Sequence, residues 1–152
     1  MASYFFDTSA FVKYYHDEVG SQQIISLIDQ TVNRIFISRL TLVEWHSAFA
    51  LKVRSGSLTF ENFQIAKRSF YSDLRIRKFA VVSLERIHPQ SAIRLLKKHA
   101  FSQNLRTLDA LQLAVALEFH RRLPFDYFVC ADIPFCQIVR QEGFSVLNPE
   151  VD

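Results

Sequence analysis

The sequence predicts an α/β fold: a three-layer α/β/α sandwich with a central parallel sheet of about five strands. Short apolar runs alternate with segments whose apolar residues recur at helical spacing, and such alternation implies crossovers that cover both faces of a parallel sheet. The chain has 152 residues and 49% hydrophobic content, but only three glycines and four prolines. That leaves few candidate linkers and ample bulk for one core, so a single domain over residues 1–152 is expected.

Tyr4-Phe5-Phe6 reads as the first strand, followed by Asp7-Thr8-Ser9 and a helical pattern at Ala10, Phe11, Tyr14 and Tyr15. Ser21 to Ile28 forms a second amphipathic helix, and Arg34-Ile35-Phe36-Ile37-Ser38 a second strand. Leu40 to Val53 and Leu58 to Arg75, parted by Ser55-Gly56-Ser57, form a helical hairpin. Phe79 to Leu84 is the third strand. Pro89 opens a helix over Gln90 to Ala100, and Thr107 caps one that runs to Arg122. Tyr127 to Ala131 is the fourth strand, Pro134 starts a helix that ends near Gly143, and Ser145 to Leu147 is a short last strand.

Eighteen basic and fifteen acidic residues give a net charge of +3, which permits a polyanionic partner without demanding one. No apolar run approaches the roughly 18 residues of a membrane span, and Met1 to Asp7 reads as the approach to a strand rather than a basic leader. A cytoplasmic location is the resulting expectation. Cys130 and Cys136 lack zinc-type spacing and lie in an apolar segment, which predicts buried, reduced thiols.

Four acids stand where a structural role alone explains them poorly. Asp7 and Asp132 each follow a strand-like run, which puts them at the carboxyl ends of strands, where open parallel sheets bind ligands. Each is also suited to cap the following helix. Glu44 shares a helical face with Leu40, Ala48 and Leu51, so the side expected to face the core carries a carboxylate, paired with Arg39 or His46 or set at the margin. Asp109 sits in the first turn of the nearly all-apolar helix Thr107 to Leu117, where the helix dipole favours an acid and its neighbours predict burial. If these acids converge, they form a hard-oxygen site suited to Mg²⁺ or Mn²⁺, the equipment for phosphodiester hydrolysis.

Phe6-Asp7-Thr8-Ser9-Ala10, Leu42-Val43-Glu44, Leu105 to Ala114 and Val129-Cys130-Ala131-Asp132 resemble, in order, the motifs of PIN domains, most of all VapC-type toxins. The resemblance runs the length of the chain to Val146-Leu147-Asn148-Pro149, and departs from the family pattern at Ile133-Pro134-Phe135, where polar or basic residues are usual. It implies a PIN-like nuclease that cuts RNA with Mg²⁺ or Mn²⁺, with Asp7, Glu44, Asp109 and Asp132 as catalytic metal ligands and Ser9 orienting Asp7 or a bound water. It also implies a cognate antitoxin and a homodimer. Catalytically silent interaction modules and RNA-processing nucleases without an antitoxin are the alternatives.

Other constellations carry less. Asp7-Thr8-Ser9 lacks the second aspartate of an aspartate-nucleophile phosphatase, and no Gly-x-Ser-x-Gly elbow supports a hydrolase triad. The five histidines lack ligand spacing and read as surface or helix-end residues. Among the basic residues, Arg106 stands just before the helix bearing Asp109, within reach of an RNA phosphate beside the metal. Phe70 and Tyr71 could stack on bases, although their spacing suits the core.

Overall fold

The computed structural model describes residues Met1–Asp152. Strands β1 (Ser3–Phe6), β2 (Arg34–Ser38), β3 (Ala80–Val82), β4 (Tyr127–Val129) and β5 (Val146–Leu147) form one all-parallel sheet in the order β3-β2-β1-β4-β5. Seven α-helices connect them: α1 (Thr8–Phe11), extended by a 3₁₀ turn over Val12–Tyr14, α2 (Ser21–Asp29), α3 (Arg39–Arg54), α4 (Phe60–Arg75), α5 (Ile87–His99), α6 (Thr107–Arg122) and α7 (Ile133–Gln141). The expected three-layer α/β/α sandwich with five strands is the fold observed.

Successive strand residues point to opposite faces of a sheet. Tyr4, Phe6, Ile35 and Ile37 accordingly enter a core with Ile24 and Ile28 of α2, Trp45 and Phe49 of α3 and Phe70 of α4. Phe5, Phe36 and Phe128 face the other way, onto Leu95 of α5, Leu113 and Ala116 of α6 and Ile138 of α7. Burial on both faces is why the strands read as unbroken apolar runs rather than alternating ones.

The strand order places the site. From β1 the chain moves outward to β2 and β3, then returns through α5 and α6 to β4 on the other side of β1. The direction of winding therefore reverses between β1 and β4, and the carboxyl ends of strands at such a reversal flank a crevice. Phe6 pairs with Val129, and the Asp7 N–H donates to the Val129 carbonyl at 2.9 Å, extending the ladder to the edge.

Several boundaries differ from expectation for identifiable reasons. The third strand pairs only over Ala80–Val82, at a sheet edge with a single neighbour, instead of Phe79 to Leu84. Helix α5 begins at Ile87, before Pro89, because a first-turn N–H needs no helical partner and its loss to proline is tolerated. Thr107 is the first helical residue rather than the cap; Arg106 holds the extended cap position and makes no side-chain capping bond. Among the histidines, His88 and His99 lie at the two ends of α5 but are buried, accepting from the Glu85 N–H and meeting Glu142 respectively. His46 lies mid-helix, between the Leu42 carbonyl and the Tyr71 hydroxyl. Both cysteines are free and buried. Phe70 is wholly buried and Tyr71 about half exposed. No helix is long and apolar enough to cross a membrane.

Candidate active site

Asp7 follows β1 without an intervening residue and caps α1, its Oδ2 accepting from the Ser9 N–H at 3.3 Å and the Ser9 hydroxyl at 2.6 Å. The same hydroxyl accepts from the Ala131 N–H at 3.1 Å, so Ser9 ties the end of β1 to the segment that carries Asp132. Asp132 caps α7, its Oδ1 accepting from the Phe135 N–H at 3.1 Å. The capping roles expected of both acids are thus present, and each leaves carboxylate capacity for other partners.

Ser38 ends β2 and caps α3 by accepting from the Leu40 N–H, so the strand turns into the helix with no loop between them. That abrupt turn brings Glu44, on the second turn of α3, over the sheet edge. Its Oε1 accepts from Gln112 Nε2 at 2.8 Å and from the Thr8 hydroxyl at 3.2 Å, not from Arg39 or His46. Asp109 lies in the first turn of α6 with its side chain 13% exposed. Asp7, Glu44, Asp109 and Asp132, with Ser9 and Arg106, line one cleft of about 560 Å³ at the switch point, and Val43, Leu51 and Leu108 form an apolar wall. Another cleft, of about 590 Å³, lies between α2 and α4, and contains none of these four acids.

Gln112 was hidden in the sequence by its apolar helix. Its wholly buried amide nitrogen meets the Thr8 and Thr41 hydroxyls at 3.0 and 2.9 Å as well as Glu44, joining α1, α3 and α6 at one polar point. A lone glutamine inside an apolar helical run was the available signal, because burying an amide is costly without partners. Gln112→Met should cost about 1–3 kcal/mol, toward the lower end because the partnerless Gln112 Oε1 leaves with it. Chemical denaturation measures this, and an unchanged midpoint would remove Gln112 as the hub.

The acids bear on one another electrostatically. Burial, followed by the charges of Glu44 and Asp109 working against the Ser9 hydrogen bonds, pushes Asp7 up to about 7. Burial also raises Glu44 and Asp109, against the hydrogen bonds of Gln112 and Thr8 in one case and Arg106 in the other. Two arginines line the cleft, Arg54 and Arg106; Arg106 is the one bonded to these acids, Nε donating to Asp109 Oδ2 at 3.2 Å and Nη2 to Asp132 Oδ2 at 3.4 Å.

In donor chemistry this cleft fits a hard divalent cation: its acidic donors are four carboxylates, against the two guanidiniums of Arg54 and Arg106. The side chains as they stand do not form a ready three-residue metal cluster. Holding a cation by three of these residues would require their side chains to rearrange.

A parallel sheet with carboxylates at its switch point defines a class of α/β proteins with a ligand crevice at the strand ends. The PIN domain model matches residues 4–123, and the chain belongs to the PIN domain family. The matched stretch contains Asp7, Glu44 and Asp109; Asp132 lies beyond it. No curated protein matches the sequence. Among solved structures, Mycobacterium tuberculosis VapC20, a sarcin–ricin loop cleaving toxin, is similar with a TM-score of 0.66 at 18% identity, over 96% of this chain and 99% of its own. VapBC2 of Rickettsia felis, bound to a DNA fragment from its promoter, is similar with a TM-score of 0.61 at 14% identity, over 96% of this chain and 98% of the other. FitAcB of Neisseria gonorrhoeae is similar with a TM-score of 0.61 at 12% identity, over 98% and 99% of the two chains. At these identities the likeness establishes the shared fold.

Proposed function

We propose that this protein is a metal-dependent endoribonuclease, one nuclease unit over residues 1–152, and the toxin of a type II toxin–antitoxin pair. The observation that carries the proposal is the gathering of Asp7, Glu44, Asp109 and Asp132 in one cleft at the switch point, with three of them held above their ordinary pKa.

Asp7, Glu44, Asp109 and Asp132 would hold Mg²⁺ or Mn²⁺, and Ser9 would keep Asp7 in place through its 2.6 Å hydrogen bond. When bound, the cation supplies a lowered pKa for the attacking water and positive charge for the leaving oxygen. Gln112 and Thr8 fix the orientation of Glu44, and Arg106 at the cleft mouth is the candidate for contact with an RNA phosphate.

Toxin–antitoxin membership rests on family and fold, since the structural neighbours include a VapC toxin and VapBC and FitAB assemblies. The apolar wall suits a covering partner: Val43, Leu51 and Leu108, which line the cleft, are 70%, 54% and 47% exposed. An antitoxin protein is the partner this reading names, with the toxin acting in the cytoplasm as a homodimer.

Incubating purified protein with structured RNA tests the activity. Cleavage with Mg²⁺ or Mn²⁺ that stops in EDTA is expected; undiminished cleavage in EDTA, with contaminating ribonuclease excluded, contradicts the metal mechanism. No cleavage under any condition favours a silent interaction module. Harmless expression of soluble, RNA-cleaving protein argues for RNA processing instead of a toxin.

A further inference from the structure

Arg106 occupies the cap position of α6 with extended backbone, but its side chain leaves the helix end unserved. It reaches across the cleft instead, binding Oδ2 of Asp109 and Oδ2 of Asp132 at once. Those acids come from different elements, α6 and the loop before α7, so the guanidinium is the only side chain seen to link them directly. It is 67% exposed, whereas the carboxylates it bridges are 13% and 32% exposed. A flexible, largely solvated cation is thus parked on the less accessible anions.

We propose that Arg106 is a tethered counter-ion. In the metal-free protein its guanidinium holds the Asp109 and Asp132 oxygens that a divalent cation would take, so that metal entry displaces it and frees it at the cleft mouth. This inference rests on the reading of these acids as metal ligands. It follows from shared atoms: one Oδ2 cannot keep a hydrogen bond from Arg106 and take up a cation in the same direction, and the cation and guanidinium repel at such range. The displaced arginine costs little to move, because its side chain is already 67% exposed and solvent takes over its donors. A positive charge released toward solvent beside the cleft is then available to a polyanionic substrate, which couples loading of the ion to exposure of the cation.

Calorimetric titration of Mn²⁺ into the full chain at 0.15 M salt tests this with wild type, Arg106→Gln, Arg106→Lys and the remote Arg121→Gln. Arg106→Gln should bind Mn²⁺ about three- to tenfold more tightly, from loss of the two competing ion pairs. Arg106→Lys should fall between that variant and wild type, since it keeps the charge without the two-armed fork. Arg121→Gln should match wild type, which separates local competition from a change in net charge. Melting in EDTA provides a second readout, in which Arg106→Gln should be less stable than wild type, with a larger gain on saturation with Mn²⁺. Equal or weaker Mn²⁺ binding by Arg106→Gln overturns the proposal and makes Arg106 a residue that positions the acids for the ion. If none of the proteins binds Mn²⁺, the metal reading itself falls and this inference falls with it. Should Arg106→Gln fold poorly, the Arg106→Lys comparison decides alone: tighter binding than wild type supports competition, and equal or weaker binding refutes it.

Discussion

Asp7→Asn is expected to cut RNA cleavage by on the order of 100-fold or more and relieve any growth arrest, yet to make the metal-free protein more stable at pH 7.5. The Asp7 carboxyl has an ordinary value of 3.8 and is pushed up to about 7 in the folded state, by burial first and then by Glu44 and Asp109. Between those values the native protein holds a proton that the unfolded chain has released, so stability falls as pH rises through this window and levels off above it. A shift of that size corresponds to about 4 kcal/mol of disfavoured ionisation, which sets the ceiling of the gain. A gain of about 1–3 kcal/mol is expected, because asparagine keeps the helix-capping role but accepts less strongly from the Ser9 hydroxyl. Denaturation in EDTA across pH 4 to 8 measures it: the two proteins should converge near pH 4 and separate toward pH 7.5. A mutant less stable than wild type at pH 7.5 would make Asp7 a structural cap, not a member of a repelling cluster.

Trp45→Ala should cost about 3–5 kcal/mol, a large share of the roughly 5–15 kcal/mol that holds an ordinary domain folded. Trp45 is wholly buried next to Glu44, stacked on Phe49 at 4.1 Å and on Phe70 of α4 at 4.5 Å. It clamps α3 against α4, and so fixes the helix that carries Glu44. Trp45→Phe should cost less than about 1.5 kcal/mol, since it keeps a stacking ring and removes an indole N–H that has no hydrogen-bond partner. Thermal melts of both variants decide this, and near-equal losses would show that the ring stack is not what holds the hairpin.

The elements of this fold were readable where a single physical signal dominated. Arg34–Ser38 is a β-branched and aromatic run buried on both faces, and the Thr107–Arg122 helix is apolar around its central turns. Strand order was not readable, because Phe5, Phe36 and Phe128 are equally apolar and nothing local says which strands are neighbours. The acids at strand and helix ends stood out one by one in the sequence, and the motif order suggested that they belong together. What no local pattern carried was their surroundings. The Arg106–Asp109 pair lies at helical spacing, but the Arg106–Asp132 pair spans 26 residues and exists only once α6 and α7 are placed. The Glu44–Gln112 bond likewise spans 68 residues. Fold thus follows from patterning, whereas the electrostatics of the cleft follow from topology.

The central claim is that four carboxylates act as one site, and double-variant kinetics address it most directly. Residues that act as a unit show strongly non-additive losses, since removing one member already forfeits what the others supply. RNA cleavage rates in Mn²⁺ would be compared for Asp7→Asn, Asp109→Asn and the pair combined, with folding confirmed for each. Each single variant is predicted to lose most of the activity, on the order of 100-fold or more, with the double variant about as impaired as the worse single. Modest single losses that multiply in the double variant would show that Asp7 and Asp109 contribute independently, and would contradict a shared site.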